Sequence, residues 1–197
     1  MSVFRIVQDK DTFGYFNIND PYGLIDALGS RGYMGLPSLQ ESIIDKWPGD
    51  VSCLFIDAES ETHSFNRPDL YVSDTALVLS ARAKQALGQG MAKFGEYLPI
   101  WCDELEYYLF IAHVILPVNE TLSEINYVDY PGLGIPPRRR GTKRVSFRPE
   151  DVGTNILFKT PFDNFMSLFC SLSFKQRVEG AGLKGIFFDS NLAKAIA

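Results

Sequence analysis

The sequence predicts an α+β fold over residues 1–197 as one domain, with a mixed or largely antiparallel sheet and a few short helices packed on it. Three observations carry that expectation. The order strand, serine cap, helix, glycine, strand occurs twice, once around Ser80 and once around Ser171–Ser173. Tyr97 to Trp101 and Tyr107 to Leu116 read as a β pair turned at Asp103-Glu104. Hydrophobic residues make up 46% of the chain and charged residues 22%, enough for a real core and too apolar for a disordered chain.

From the N-terminus, Val3 to Val7 and Tyr15 to Ile18 are candidate strands in an otherwise loop-rich segment 1–68. Leu36 to Ile44 suggests a short helix after Pro37, with Ser38 as its cap and its end before Pro48. Val51 to Ile56 is an apolar run of strand length. Ser80 fits a helix N-cap, and beyond it Ala83, Ala86, Leu87, Met91 and Phe94 recur along one helical face. Gly88 and Gly90 each weaken that helix by about 1 kcal/mol relative to Ala, which points to a kink or close packing, and Gly95 fits its stop. Asp129 to Arg148, with three prolines and several glycines, reads as a long loop. Phe165 to Phe169 is strand-like, Phe174 and Val178 mark a short helix stopped by Gly180 and Gly182, and Leu183 to Phe188 is a strand expected to be buried.

No apolar run approaches the roughly eighteen residues of a membrane span, and the first residues lack the basic start and apolar stretch of a secretory leader. A cytoplasmic protein is expected. Cys53, Cys102 and Cys170 are odd in number and widely spaced, as buried free thiols in a reducing compartment are. His63 sits in a polar stretch and His113 in an apolar one, with no metal-ligand spacing between them, so no metal or cofactor is expected. No G-x-S-x-G or phosphate-loop signature occurs, and the glycines of Gly23 to Gly35 lack a strand-to-helix context. Asp103, Glu104 and Glu106 can be imagined as an acid–base set, but nothing around them in sequence supplies a perturbing environment.

The net charge of −5 is unevenly spread. From Trp101 to Asp129 the acids Asp103, Glu104, Glu106, Glu120, Glu124 and Asp129 meet no Lys or Arg. From Glu41 to Asp74 eight acids face only Lys46 and Arg67, whereas Pro136 to Arg148 holds six bases and no acid. Acidic stretches are either solvated faces or a docking field for a basic partner. The basic run is expected to pair internally or to reach an acidic partner. Nucleic acid is not expected, because the chain is acidic overall and no nucleic-acid-binding motif accompanies the run.

Several elements, in order, carry a family likeness: Leu79-Ser80-Ala81-Arg82-Ala83, Gly95-Glu96-Tyr97-Leu98-Pro99, Tyr107-Tyr108-Leu109, Leu122-Ser123-Glu124, Phe158-Lys159-Thr160 and Leu183-Lys184-Gly185-Ile186-Phe187-Phe188. Over Asp69 to Phe188 the chain resembles the immunity-protein domain family of bacterial polymorphic-toxin systems, including contact-dependent secreted toxins. Each element also has a structural role, Pro99 for example suiting an edge strand, so the likeness marks scaffold more than surface. It implies a cytoplasmic inhibitor, not an enzyme, that binds a cognate protein toxin and blocks its active site or a nearby surface. A basic nuclease is one such toxin, and nuclease–immunity pairs reach Kd values of about 10⁻¹³ M. The expected toxin-binding residues are Asp103, Glu104, Glu106, Glu120, Glu124, Tyr127, Asp129 and Tyr130, with Tyr22 and Tyr33 as further loop aromatics. Two alternatives stay open: a small enzyme reversing a toxin's modification, and a structural or adaptor protein of a secretion cluster.

Overall fold

A computed structural model describes residues 2–28, 41–57, 59–62, 64, 66–73, 76–132 and 134–193. In chain order the elements are β1 (Val3–Gln8), α1 (Lys10–Phe13), β2 (Tyr15–Ile18), α2 (Pro21–Leu28), β3 (Ser52–Ile56), β4 (Leu70–Ser73), β5 (Ala76–Ser80) and α3 (Ala81–Met91). Then come β6 (Gly95–Cys102), β7 (Leu105–Ala112), β8 (Glu124–Tyr130), β9 (Ile135–Arg144), α4 (Pro149–Val152), β10 (Leu157–Phe158), β11 (Phe169–Ser171), α5 (Leu172–Gly180) and β12 (Ile186–Asp189). The fold is α+β as the sequence predicts. A four-stranded antiparallel sheet runs β10-β11-β1-β12. A six-stranded mixed sheet runs β2-β3-β6-β7-β5-β4, parallel only between β3 and β6. β8 and β9 form a separate two-stranded ribbon.

The principal core lies between the two larger sheets and the helices. Phe4 and Ile6 of β1, Leu77 and Leu79 of β5, Phe110 of β7, Cys170 of β11 and Phe174 and Val178 of α5 share one cluster. α3 adds Ala83, Leu87 and Met91 to it, and Phe94 follows from the turn after the helix. The opposite face of the six-stranded sheet has a second cluster, centred on Phe55, Val78, Leu98, Ile100 and Leu109 and closed by Leu24 and Trp47. β5 and β7 therefore supply both cores with alternate side chains, as strand geometry requires.

Local chemistry explains the best-defined elements. The Ser80 hydroxyl accepts from the Ala83 N–H at 3.1 Å, the N-cap expected of it. β6 and β7 pair from Gly95↔Ala112 to Cys102↔Leu105, joined by Asp103 and Glu104, both left-handed at φ 48° and 68°. Two positive-φ residues make the tight turn whose twist matches a hairpin.

Several expectations need correction. The proline- and glycine-rich segment after Asp129 is not a loop; much of it is β9, paired with β8 through three register shifts. β7 ends at Ala112, and beyond it Ile115 makes only an isolated bridge to Lys159. Phe165 has φ 58° and no strand, so the strand begins at Phe169. Ala86 is exposed and lies off the buried face of α3. Gly95 is extended at φ 173° and opens β6 after a 3₁₀ turn at Ala92–Phe94. Successive side chains of the edge strand β12 point to opposite faces, so Ile186 and Phe188 pack on the core while Phe187 is 57% exposed. Pro99 is not on an edge strand, but pairing with β3 starts only at Trp101, and the Pro99 carbonyl instead accepts from the Trp47 indole at 2.8 Å. The helix expected after Pro37, its Ser38 cap, Tyr33 and His63 lie outside the described residues, and the adjoining stretch has a 3₁₀ turn at Ile44–Lys46.

The sheets are joined at Asp69. Its carboxylate accepts from Arg82 at 2.9 Å, from the Lys184 N–H at 3.1 Å and from the Ser80 hydroxyl at 3.4 Å. The Asp69 carbonyl accepts from the Ser80 N–H, and the Asp69 and Leu70 N–H groups both donate to the Lys184 carbonyl. Gly185, at φ 114°, follows at once, and a Cβ there would overlap the Leu70 carbonyl oxygen. One acidic side chain thus fixes the start of β4, the cap of α3 and the approach to β12.

Two predictions follow from these contacts. Asp69→Ala leaves the Lys184 N–H and the Ser80 hydroxyl short of an acceptor, and is expected to lower the unfolding free energy by about 2 kcal/mol in urea titrations. Lys159 is fully buried, and desolvation holds its ammonium pKa down to about 8 from the ordinary 10.5. The unfolded chain then binds a proton that the folded chain has lost between pH 8 and 10.5, so this residue's contribution to stability rises with pH across that window. The stability difference between the parent and Lys159→Met should move in the parent's favour by about 3 kcal/mol from pH 8 to 10.5. A difference that stays flat across urea melts at these pH values would contradict the assignment.

Candidate functional site

The largest structured surface outside the two main sheets is the β8–β9 ribbon. Of the ten residues of β9, only Gly141 and Thr142 are not exposed. Its root is anchored. Val145 and Phe147, just after β9, enter a third cluster with Leu116, Val152, Phe158 and Phe169, and the Phe147 ring meets those of Phe158 and Phe169 at 5.1 and 5.0 Å. The Asn119 N–H donates to the Ser146 carbonyl, and the Ser146 N–H donates to the Ser123 hydroxyl at 3.0 Å. The Arg139 guanidinium lies 5.7 Å from the Phe162 ring centroid.

Further out, the ribbon presents large side chains to solvent. Tyr127 is 57% exposed, Tyr130 40% and Ile135 38%. Tyr130 stands opposite Ile135, and Tyr127 opposite Arg139, so each pair shares a face. Glu124, at the root, accepts from Lys143 at 2.8 Å and lies 3.9 Å from Arg144, and these bases hold its carboxyl below the usual range. Part of the basic run is therefore paired with the acidic stretch inside the protein. Over Glu124 to Arg144 two acids stand against five bases, a net charge of +3.

The structure divides the acidic stretch in two. Glu124, Tyr127, Asp129 and Tyr130 lie on the ribbon, and exposed Glu120 lies just before its root. Asp103, Glu104 and Glu106 sit around the β6–β7 turn, and β7 carries the chain about 25 Å from there before it turns toward the ribbon. At that turn the second acidic stretch of the sequence meets the first. Arg67, in the segment between β3 and β4, pairs with Asp103 at 2.6 Å. Glu59 and Glu61 of the same segment are exposed. Trp101 and Leu105 are 40% and 49% exposed, with Trp101 opposite Glu106 across the hairpin. Tyr22, the other described loop aromatic, belongs to α2 and is exposed away from both groups in sequence.

Other polar clusters are structural. Glu96 accepts from the Ser42 hydroxyl at 2.6 Å and the Ile43 N–H at 3.0 Å, and lies 3.3 Å from His113 Nε2. The carboxylate stands between hydroxyl and imidazole, the wrong order for a nucleophile activated by a histidine base. It clamps the segment before β3 onto β6. Cys53 and Cys102 face each other across the parallel β3–β6 pair, and the Cys53 thiol is pushed up by its hydrogen bond to Cys102 and by burial. Among the described residues no group of three His, Cys, Asp or Glu could hold a metal, and no helix is long and apolar enough to cross a membrane.

Sequence reasoning named the ribbon's tyrosines but missed the ribbon, because two consecutive prolines and three glycines outweighed the alternation in Glu124 to Tyr130. Comparison with known proteins gives one positive result. The model of an immunity protein family, Imm11, matches residues 21–191, starting well before Asp69, where the likeness read from the sequence begins. No curated protein matches the chain.

Proposed function

Because the chain belongs to the Imm11 immunity protein family, we propose that it neutralises a cognate protein toxin by binding it and covering its active site or a neighbouring surface, with the β8–β9 ribbon at the centre of the interface. The observation that carries this reading is the ribbon's exposure. Two-stranded ribbons are marginally stable in water on their own. This one is secured at its root and by the Arg139–Phe162 contact, and shows two tyrosines and an isoleucine to solvent. Aromatic side chains ringed by polar groups are what the energetic centre of a tight interface requires. Glu124 and Asp129 on β8 and the arginines of β9 would supply that ring, and the excess of bases suits an acidic patch on the toxin.

The exposed acids at the β6–β7 turn favour a second reading. Glu104 and Glu106, beside Trp101, Leu105 and the Arg67–Asp103 pair, suit a basic toxin such as a nuclease, and their negative charge would speed its approach. The two readings put the contact at opposite ends of β7. In both the role is stoichiometric inhibition rather than catalysis, which also separates them from an enzyme that reverses a toxin's modification.

Binding kinetics with the toxin encoded beside the gene decide between them. With the ribbon at the centre, Tyr127→Ala with Tyr130→Ala is expected to raise the dissociation rate about 30-fold or more, the scale of a 2 kcal/mol hot spot, with an unchanged melting temperature. With a basic toxin at the turn, Glu104→Lys with Glu106→Lys instead slows association and weakens its salt dependence. Unchanged kinetics in all four substitutions would remove both surfaces from the interface.

A further inference from the structure

Away from the ribbon, the end of α3, the start of α5 and the turn after α4 enclose a crevice of about 400 Å³. That volume is in the range of small-molecule sites. Its charge has one sign. Lys93 and Arg177 line it, no carboxylate among the described residues does, and neither cation has an ion pair among them.

The placement of Arg177 depends on a glycine. A Cβ at position 90 would overlap its Nη1, so the guanidinium lies against the bare backbone of α3. Glycine within a helix is less favourable than Ala. Close packing is what the sequence suggests for Gly90, and the packed group is a cation at the mouth of a cavity.

α5 opens on the same crevice. Ser171, Leu172 and Ser173 line it; the Leu172 N–H donates to the Ser2 carbonyl at 3.2 Å, and the helix N-terminus carries partial positive charge that favours anions. Ser171 occupies the N-cap position, yet its hydroxyl caps none of the first-turn N–H groups. The residue is only 5% exposed, and its Oγ is buried without a hydrogen-bond partner. Elsewhere such a serine would cap its helix, as Ser80 does. A buried hydroxyl without a partner is destabilising, and an acceptor that reached it would relieve that.

We infer that this crevice binds the phosphate of a small phosphate monoester. Lys93 from the turn after α3, Arg177 from the body of α5 and Ser171 and Ser173 at its start all line the one crevice. Donors drawn from two helices suit a tetrahedral dianion with three acceptor oxygens better than a planar carboxylate. Phe94, Ile156 and Leu172 give the crevice apolar wall against which the organic part of the ester rests. The site shares no residue with the ribbon or with the acidic turn, so its failure leaves the toxin-binding reading untouched.

The test is titration of the full chain with inorganic phosphate and with ribose 5-phosphate at constant ionic strength, followed by amide chemical shifts. The expected result is a saturable shift confined to Ser171–Phe174 and Gly153–Asn155, with the ester binding more tightly than phosphate. Lys93→Gln with Arg177→Gln, both at exposed positions, should weaken binding at least tenfold without changing the melting temperature. Gly90→Ala should weaken it as well, by displacing the guanidinium. No saturable shift, an undiminished shift in the double variant, or equal saturation by acetate would each overturn the inference.

Discussion

The structure depends on the contacts of Asp69 with the chain that enters β12. The six-stranded sheet and the four-stranded sheet are each closed by ordinary strand pairing, but their mutual placement rests on the Leu70 carbonyl passing close to Gly185 and on the carboxylate that ties Lys184, Arg82 and Ser80 together. Arg82 extends the tie by donating to the Ala181 carbonyl at 3.1 Å. The helix cap, the family-like Leu79–Ala83 element and the Leu183–Phe188 element are thus one junction seen from three places in the sequence. Steric intolerance at Gly185 fixes its geometry, and the hydrogen bonds to a mostly buried acid fix its register.

This explains why the residues that carry the family likeness say so little about the partner. Leu79, Ala83, Leu98, Tyr107, Leu109, Phe158, Lys159 and Thr160 are all buried. Thr160 accepts from the Phe162 N–H and Asp163 from the Met166 N–H, shaping the turn over which the ribbon root lies. Buried polar residues of this kind specify a backbone path, because each must find its partners in one arrangement only. Under the proposed reading, the surfaces left to differ between partners are the ribbon and the strand turn, where most side chains are exposed.

Much of the fold was legible where a local rule has a single solution. A serine before an amphipathic run gave the α3 cap, and two polar residues between apolar runs gave the β6–β7 turn. What was not legible depends on distant partners. The β4–β5 hairpin is too short and too apolar to show a period, since both of its faces are covered. The helix α2, with Gly23 inside it, has a weak local preference and is held by Leu24 in the second core. The ribbon has prolines where a strand is least expected, tolerated because β9 has a neighbour on one side only. Of the candidate interaction residues, the sequence could supply the tyrosines and the charge runs, but only the fold shows that Asp103 and Glu124 belong to different elements and that Asp103 meets Arg67.

The four-stranded sheet has a consequence for how the chain is made. β1 sits between β11 and β12, far later in the sequence, with Phe4 opposite Cys170 and Ile6 opposite Phe188. A chain emerging from the ribosome cannot complete this sheet until β12 has been synthesised, so Phe4 and Ile6 wait with their apolar side chains unclaimed while the six-stranded sheet assembles. Such loop closures, spanning nearly the whole chain, are slow. Completion of this sheet therefore waits for β11 and β12, and until they form, seven of the twenty buried residues of the principal core, from Ile156 to Leu183, are still missing.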